Sequence, residues 1–246
     1  MNRILATFVL AASLAVPASA LAQFEPNATA GLAEGYRMDM LQSLVRDSTI
    51  PKPKAASTAA ATKKTATAAS SPSSPTRVAY RSDVSARVKD EILRESTGNR
   101  RSDELLRPVI ASGRLMTEYG KLMRHLGLSE NDIADVMTAY LLVSMEAVNG
   151  ETPGARERSA VRRAIADKLA ASPGLRKLAP RDRQVLAERY AYSTLSTGLT
   201  FQVLSREKRT SELAEFRTRV RRNVSQSTGI DLTRVSMTET GLAARR

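Results

Sequence analysis

Residues 129–150, SENDIADVMTAYLLVSMEAVNG, constrain the fold more than any other stretch of the chain. Ile133, Met137, Tyr140, Leu141, Met145 and Val148 recur at three- and four-residue spacing, the period of a helix. Val136, Leu142 and Val143 widen that stripe until little polar face remains, and a helix apolar on most sides is buried among others. Ser129 and Asp132 have capping-box spacing, with Asp in place of the usual Glu or Gln, so Ser129 is the expected N-cap. Gly150 suits the left-handed residue that closes a helix. The apolar run from Ile133 to Val148 includes Asp135 and Glu146 and falls short of the roughly 20 mostly uncharged residues that a membrane span needs. The expectation is the central helix of an all-α domain.

The segments before it differ in kind. Residues 1–22 read as a secretory signal peptide: Arg3, an apolar run from Ile4 to Val16, Pro17, then a small-residue cleavage site after Ala20 or Ala22. That places the mature protein in the periplasm or outside the cell. Residues 23–50 form a short, mildly acidic N-terminal segment in which Leu32, Tyr36, Met40, Leu41 and Leu44 fit an amphipathic helix over about 30–46. Residues 51–76, PKPKAASTAAATKKTATAASSPSSPT, lack the apolar side chains that offset ordering entropy and read as a disordered, low-complexity linker.

The helical domain is expected over 77–246, as a bundle of about five helices with an extended C-terminal tail. Ser82 or Asp83 caps a helix carrying Val84, Val88 and Ile92. Pro108 implies that the next helix starts near Arg107 or is kinked there, and it runs to Leu126 and stops at Gly127. After Gly150, Thr152 is the expected cap and Pro153 the first residue of a helix to about Ala171. A further helix runs from Arg181 towards Arg206, with a weak middle, STLSTGLT, in which Gly198 allows a close crossing or a kink. A last one, capped by Thr210 or Ser211, reaches Val224 before Gly229. In the tail, Ile230, Leu232, Val235 and Met237 suggest a period of two and an extended segment laid over the bundle.

GLSENDIADVMTAYLLVSMEAVNG, VRRAIADKL, RQVLAERY and GIDLTRVSMTETGL together resemble a family of secreted proteobacterial proteins of unknown function. That family has a signal peptide, a variable Pro/Ala-rich linker and a C-terminal helical domain. The resemblance covers roughly residues 80–242 and implies compartment and architecture; no functional residue transfers with it.

Catalytic constellations are scarce. Without cysteine there is no thiol nucleophile and no zinc-thiolate site. Only one histidine is present, His125, and no Ser stands in a G-x-S-x-G turn. His125 with Asp132 and Asp135 has the chemistry of a divalent-metal site, but capping and the helix dipole account for Asp132, and an ion pair with an arginine is the simpler expectation for Asp135. No catalytic residue, metal or cofactor is therefore assigned. The runner-up function is an enzyme acting on cell wall or envelope lipid through Glu118, Glu146, Glu188 or Asp135, which would have to converge in one cleft.

Charge carries the leading expectation. The net charge is +13 and Trp is absent. Between Arg124 and Arg156 there is no Lys or Arg, while Glu130, Asp132, Asp135, Glu146 and Glu151 are acidic. Basic residues dominate from Arg156 to Arg222 and are densest in RTRVRR at 217–222. Arg217 and Arg221 share a helix face, Arg219 and Arg222 form a second cluster, and Arg206, Lys208 and Arg209 mark the preceding turn. Arg206, Lys208, Arg209, Arg217 and Arg221 are the candidate anion- or partner-binding residues. The expected function is a non-catalytic interaction module that binds an envelope protein or anionic polymer. Nucleic acid is not an expected partner, and no transmembrane helix is expected in the mature chain.

Overall fold

A computed structural model describes residues 76–95 and 110–245. The signal, the 23–50 segment and nearly all of the linker lie outside the described residues. Among the described residues the chain is mostly helical, with a two-stranded sheet at its C-terminal end. The helices are α1 (Ser82–Glu95), α2 (Arg114–Leu126), α3 (Ile133–Asn149), α4 (Ala155–Ala171), α5 (Pro173–Lys177), α6 (Pro180–Arg206) and α7 (Thr210–Thr228). The strands are β1 (Val235–Thr238) and β2 (Gly241–Ala244). Each helix expected from the sequence has a counterpart here, and the Ser172–Pro173–Gly174 break adds one more, the short helix α5.

The central position of α3 explains its composition. It is packed against α6, α4, α7 and α2, so nearly every side chain from Ile133 to Ala147 is buried. Each large apolar side chain fully removed from water contributes about 2 kcal/mol, which outweighs the loss of a polar face. Its cap differs from expectation. Asp132, not Ser129, is the N-cap, and its Oδ1 accepts from the Ala134 N–H at 2.8 Å. Ser129 lies outside the helix and donates its backbone N–H to Asp135 Oδ2 at 2.8 Å. Gly150 closes the helix in the left-handed region, at φ 70°.

The N-terminal arm completes that cap. Arg77 bridges Asp132 in antiparallel fashion, with Val78 N–H donating to Asn131 O at 2.9 Å and Ile133 N–H to Thr76 O at 2.8 Å. Thr76 Oγ1 donates to the second oxygen of Asp132. An otherwise unpaired first-turn N–H of α3 therefore finds its acceptor 57 residues upstream in a strand-like contact.

Other boundaries moved for local reasons. The start or kink expected near Arg107 and Pro108 lies outside the described residues; α2 itself begins at Arg114, directly after Gly113, whose φ of 72° is left-handed. α4 starts at Ala155 rather than Pro153, because Glu157 reaches back to accept the Gly154 N–H at 2.6 Å and fixes the N-terminus there. The weak STLSTGLT stretch does not interrupt the helix: α6 is continuous, and its packing on α3 is the most extensive among the described residues. Ser193, Thr194, Thr197 and Thr200 are buried there, and small side chains let the two helices approach. Thr194 Oγ1 donates back to Tyr190 O at 2.7 Å, satisfying one hydroxyl within the helix. α7 continues past Val224 to Thr228 and closes at Gly229. The tail turns back as an antiparallel hairpin instead of a single extended segment, pairing Val235 with Ala244 and Met237 with Leu242 and lying against α4.

Candidate functional site

The arginine-rich face of α7 divides into two flanks. Val220 and Val224 mark the buried line of the helix. Arg217 and Arg221 fall on one side of it, Arg219 and Asn223 on the other, because successive residues turn by about 100°.

On the first flank Arg217 is half-buried and donates Nε–H to Ala147 O at 3.0 Å. Ala147 lies in the last turn of α3, which holds no basic residue of its own. Arg217 supplies the cation that this helix end favours. Arg221 is exposed and faces Asp231. The Thr233 hydroxyl and then its backbone N–H hold the Asp231 carboxyl below its ordinary pKa, and Arg234 and Arg221 add to the effect.

At the α6–α7 turn the cations also separate. Arg209 is the N-cap residue of α7, where Thr210 or Ser211 was expected, and no side chain caps this end. Arg209 Nε donates to Glu212 Oε1 at 2.6 Å, a second bond joins the same two groups, and Glu207 lies at 3.5 Å. Lys208 has φ 55°, the left-handed conformation through which the chain reverses. Arg206 and Lys208 are exposed, and no ion pair joins either one, or Arg221, among the described residues. Of the five candidates, then, Arg217 and Arg209 hold structure together, while Arg206, Lys208 and Arg221 face solvent.

On the second flank α7 meets α6 over a small cavity of about 10 Å³, room for one water molecule. α3 contributes Tyr140, α6 contributes Ser196 and Thr197, and α7 contributes the apolar Phe216 and Val220 with the polar Arg219 and Asn223. Beside it, the Tyr140 and Tyr190 rings lie 5.1 Å apart and tilted by 54°. Burial pushes the Tyr140 phenol up to about 12, against the opposing effect of a hydrogen bond with Ser227, so it stays protonated at neutral pH. Sequence reasoning named Arg219 only as part of a second cluster and missed Ser196, Thr197 and Asn223. The helical wheel already separated Arg219 from Arg221, but nothing in the sequence showed that α6 would lie on that side.

The carboxylates considered for catalysis occupy different seams. Glu118 pairs with Lys121 along α2 at 2.7 Å. Asp135, 1% exposed, is held by Arg162 of α4 through Nε and, at 3.2 Å, Nη2, the arginine partner expected for it. Glu188, 2% exposed, faces α1 instead and accepts from Ser85 Oγ at 2.6 Å and Gln184 Nε2 at 2.8 Å. Glu146 is buried near the C-terminal end of α3. None of the four lines the α6–α7 cavity. His125 is exposed at the end of α2, and no group of three His, Asp or Glu side chains converges as a metal site among the described residues. No helix among them is long and apolar enough to cross a membrane.

No curated protein and no solved structure matches the chain. A family model does, over residues 1–245, and its description is a family of unknown function, DUF6683. With a match of that extent, the chain belongs to the DUF6683 family.

Proposed function

We propose that this protein is an exported, non-catalytic interaction module that binds an acidic protein or anionic polymer of the cell envelope through exposed cations at the α6–α7 turn and farther along α7. The observation that carries this reading is the state of the cations there. Arg206, Lys208 and Arg221 project into solvent with no ion pair among the described residues, whereas Arg162, Arg209 and Arg217 are engaged internally. The surplus positive charge of the chain is thus available where a partner can meet it. Export rests on the signal-like residues 1–22. The test is capture from envelope extract by the full-length chain at low and at high salt. A partner retained at low salt and released at high salt supports the reading, because exposed charges are screened within about 10 Å at 0.1 M salt. A partner indifferent to salt would contradict it, and so would turnover of an envelope substrate that vanishes in Glu188→Gln.

A further inference from the structure

We infer that the outward face of α7 is a docking strip for a linear acidic polysaccharide, which lies along the helix and meets cations at both ends; this rests on the anionic-partner reading above and chooses the polymer over the protein. At the N-terminal end of α7, Arg209 takes up Glu207 and Glu212, which leaves Arg206 and Lys208 exposed in the turn. Farther along the helix Arg221 and Arg222 are exposed. Arg234, its side chain 85% exposed, pairs at 3.5 Å with Asp231, the carboxylate that Arg221 also faces. Three arginines at this end thus meet one carboxylate. The two clusters are about three helical turns apart, about 17 Å at 1.5 Å per residue. Between them the outward positions are Ser211, Ala214 and Thr218, all exposed and small, with Glu215 at the rim. A chain can therefore lie flat from one cluster to the other.

The separation decides the length of the ligand. Exposed charges more than about 10 Å apart are largely screened from each other at 0.1 M salt. A single anion therefore feels one cluster only, whereas a chain that spans both gains the second contact as an intramolecular step. Surface chemistry decides the class. A protein partner is held mainly by aromatic or apolar anchors that fill pockets. The outward face of α7 offers none. Among the described residues Tyr80 is the one exposed large apolar side chain, and it lies on the N-terminal arm with its hydroxyl donating to Glu130 O at 2.8 Å. The same lack of exposed rings disfavours a nucleic-acid strand, whose bases need faces to stack on. A polysaccharide needs neither anchor nor ring here: arginine forks suit its carboxylates, and the Ser211 hydroxyl can donate to and accept from its hydroxyls.

The experiment is a calorimetric titration of the full-length chain with galacturonate oligomers of two lengths, one reaching a single cluster and one reaching both. The long oligomer is expected to bind at least about tenfold tighter than the short one. Arg206→Gln/Lys208→Gln and Arg221→Gln/Arg222→Gln are each expected to bring the long oligomer down to the affinity of the short one. Ala214→Glu, which sets a like charge under the middle of the strip, is expected to weaken the long oligomer more than the short one. Arg163→Gln, an exposed charge on α4, is expected to change neither. All these side chains are exposed, so every variant is expected to keep the wild-type denaturation midpoint. Equal affinity for the two lengths overturns the inference, and so does a length advantage that survives both double variants. An oligonucleotide of equal charge that binds as tightly as the long oligomer overturns the assignment to polysaccharide. Salt-sensitive capture of an acidic protein by a chain that ignores the long oligomer overturns this inference alone. Absence of salt-sensitive binding to either overturns the broader reading with it.

Discussion

Asp135 and Arg162 show how the two ends of one ion pair can differ. Asp135 is 1% exposed, while the Arg162 side chain is 49% exposed. Removing Asp135 returns a guanidinium to water. Removing Arg162 leaves a carboxylate buried with only the Ser129 N–H to hold it. Arg162→Met is therefore expected to cost about 3 kcal/mol, the scale for stranding a buried charge. Asp135→Asn, which can still accept from Ser129, should cost about 1 kcal/mol. Urea denaturation of the two variants checks the order; equal losses would contradict it. Glu91 tests pH in the same way. Burial raises its pKa, but Arg87 and Arg189 together outweigh burial and hold it below the ordinary value. A group whose folded pKa is depressed contributes stability that is present above its unfolded pKa, about 4.3, and lost as pH falls through the folded value. Acid unfolding of Glu91→Gln should accordingly be less steep below pH ~4 than that of the wild type, as circular dichroism against pH would show.

At the scale of elements, what was legible in the sequence was what local chemistry decides. The apolar excess of 133–148 declared a central helix, and Gly127, Gly150 and Gly229 marked ends, because each supplies a left-handed residue at low strain. What was not legible depends on partners distant in sequence. Ser129 looked like a cap until the arm at 76–78 was seen to leave Asp132 in that role. The hydroxyl-rich middle of α6 looked weak because propensity is a local quantity, whereas its stability comes from burial against α3. Arg217 looked like a ligand-facing residue because the position of the α3 C-terminus could not be read from α7. Two predictions belong to this scale. Deleting residues 76–80 should destabilise the domain by about 2–4 kcal/mol through the loss of buried Val78 and two backbone bonds. Amide exchange at Ile133 and Ala134 should rise more than at Met145. Unchanged exchange at those two amides would show that the arm does not cap α3. Arg217→Gln should cost about 1 kcal/mol, read as a lower denaturation midpoint.

Over the whole molecule, the charge asymmetry of the sequence resolves into two uses. Part of the basic surplus after Arg156 neutralises the acidic α3 region: Arg162 meets Asp135, Arg217 meets the α3 C-terminus and Arg245 meets Glu151. The rest faces outward, and Arg206, Lys208 and Arg221 belong to it. Belonging to the DUF6683 family adds no activity to this picture, so function turns on the division of the arginines into architectural and outward-facing groups. The most direct measurement is capture from envelope extract by Arg206→Glu/Lys208→Glu/Arg221→Glu, with its denaturation midpoint recorded beside wild type and Arg217→Gln. The triple variant is expected to lose the salt-sensitive partner at an unchanged midpoint, while Arg217→Gln keeps the partner at a lowered one. A triple variant that still captures the partner, or an Arg217→Gln that loses it without losing stability, would show that the arginines do not divide in this way.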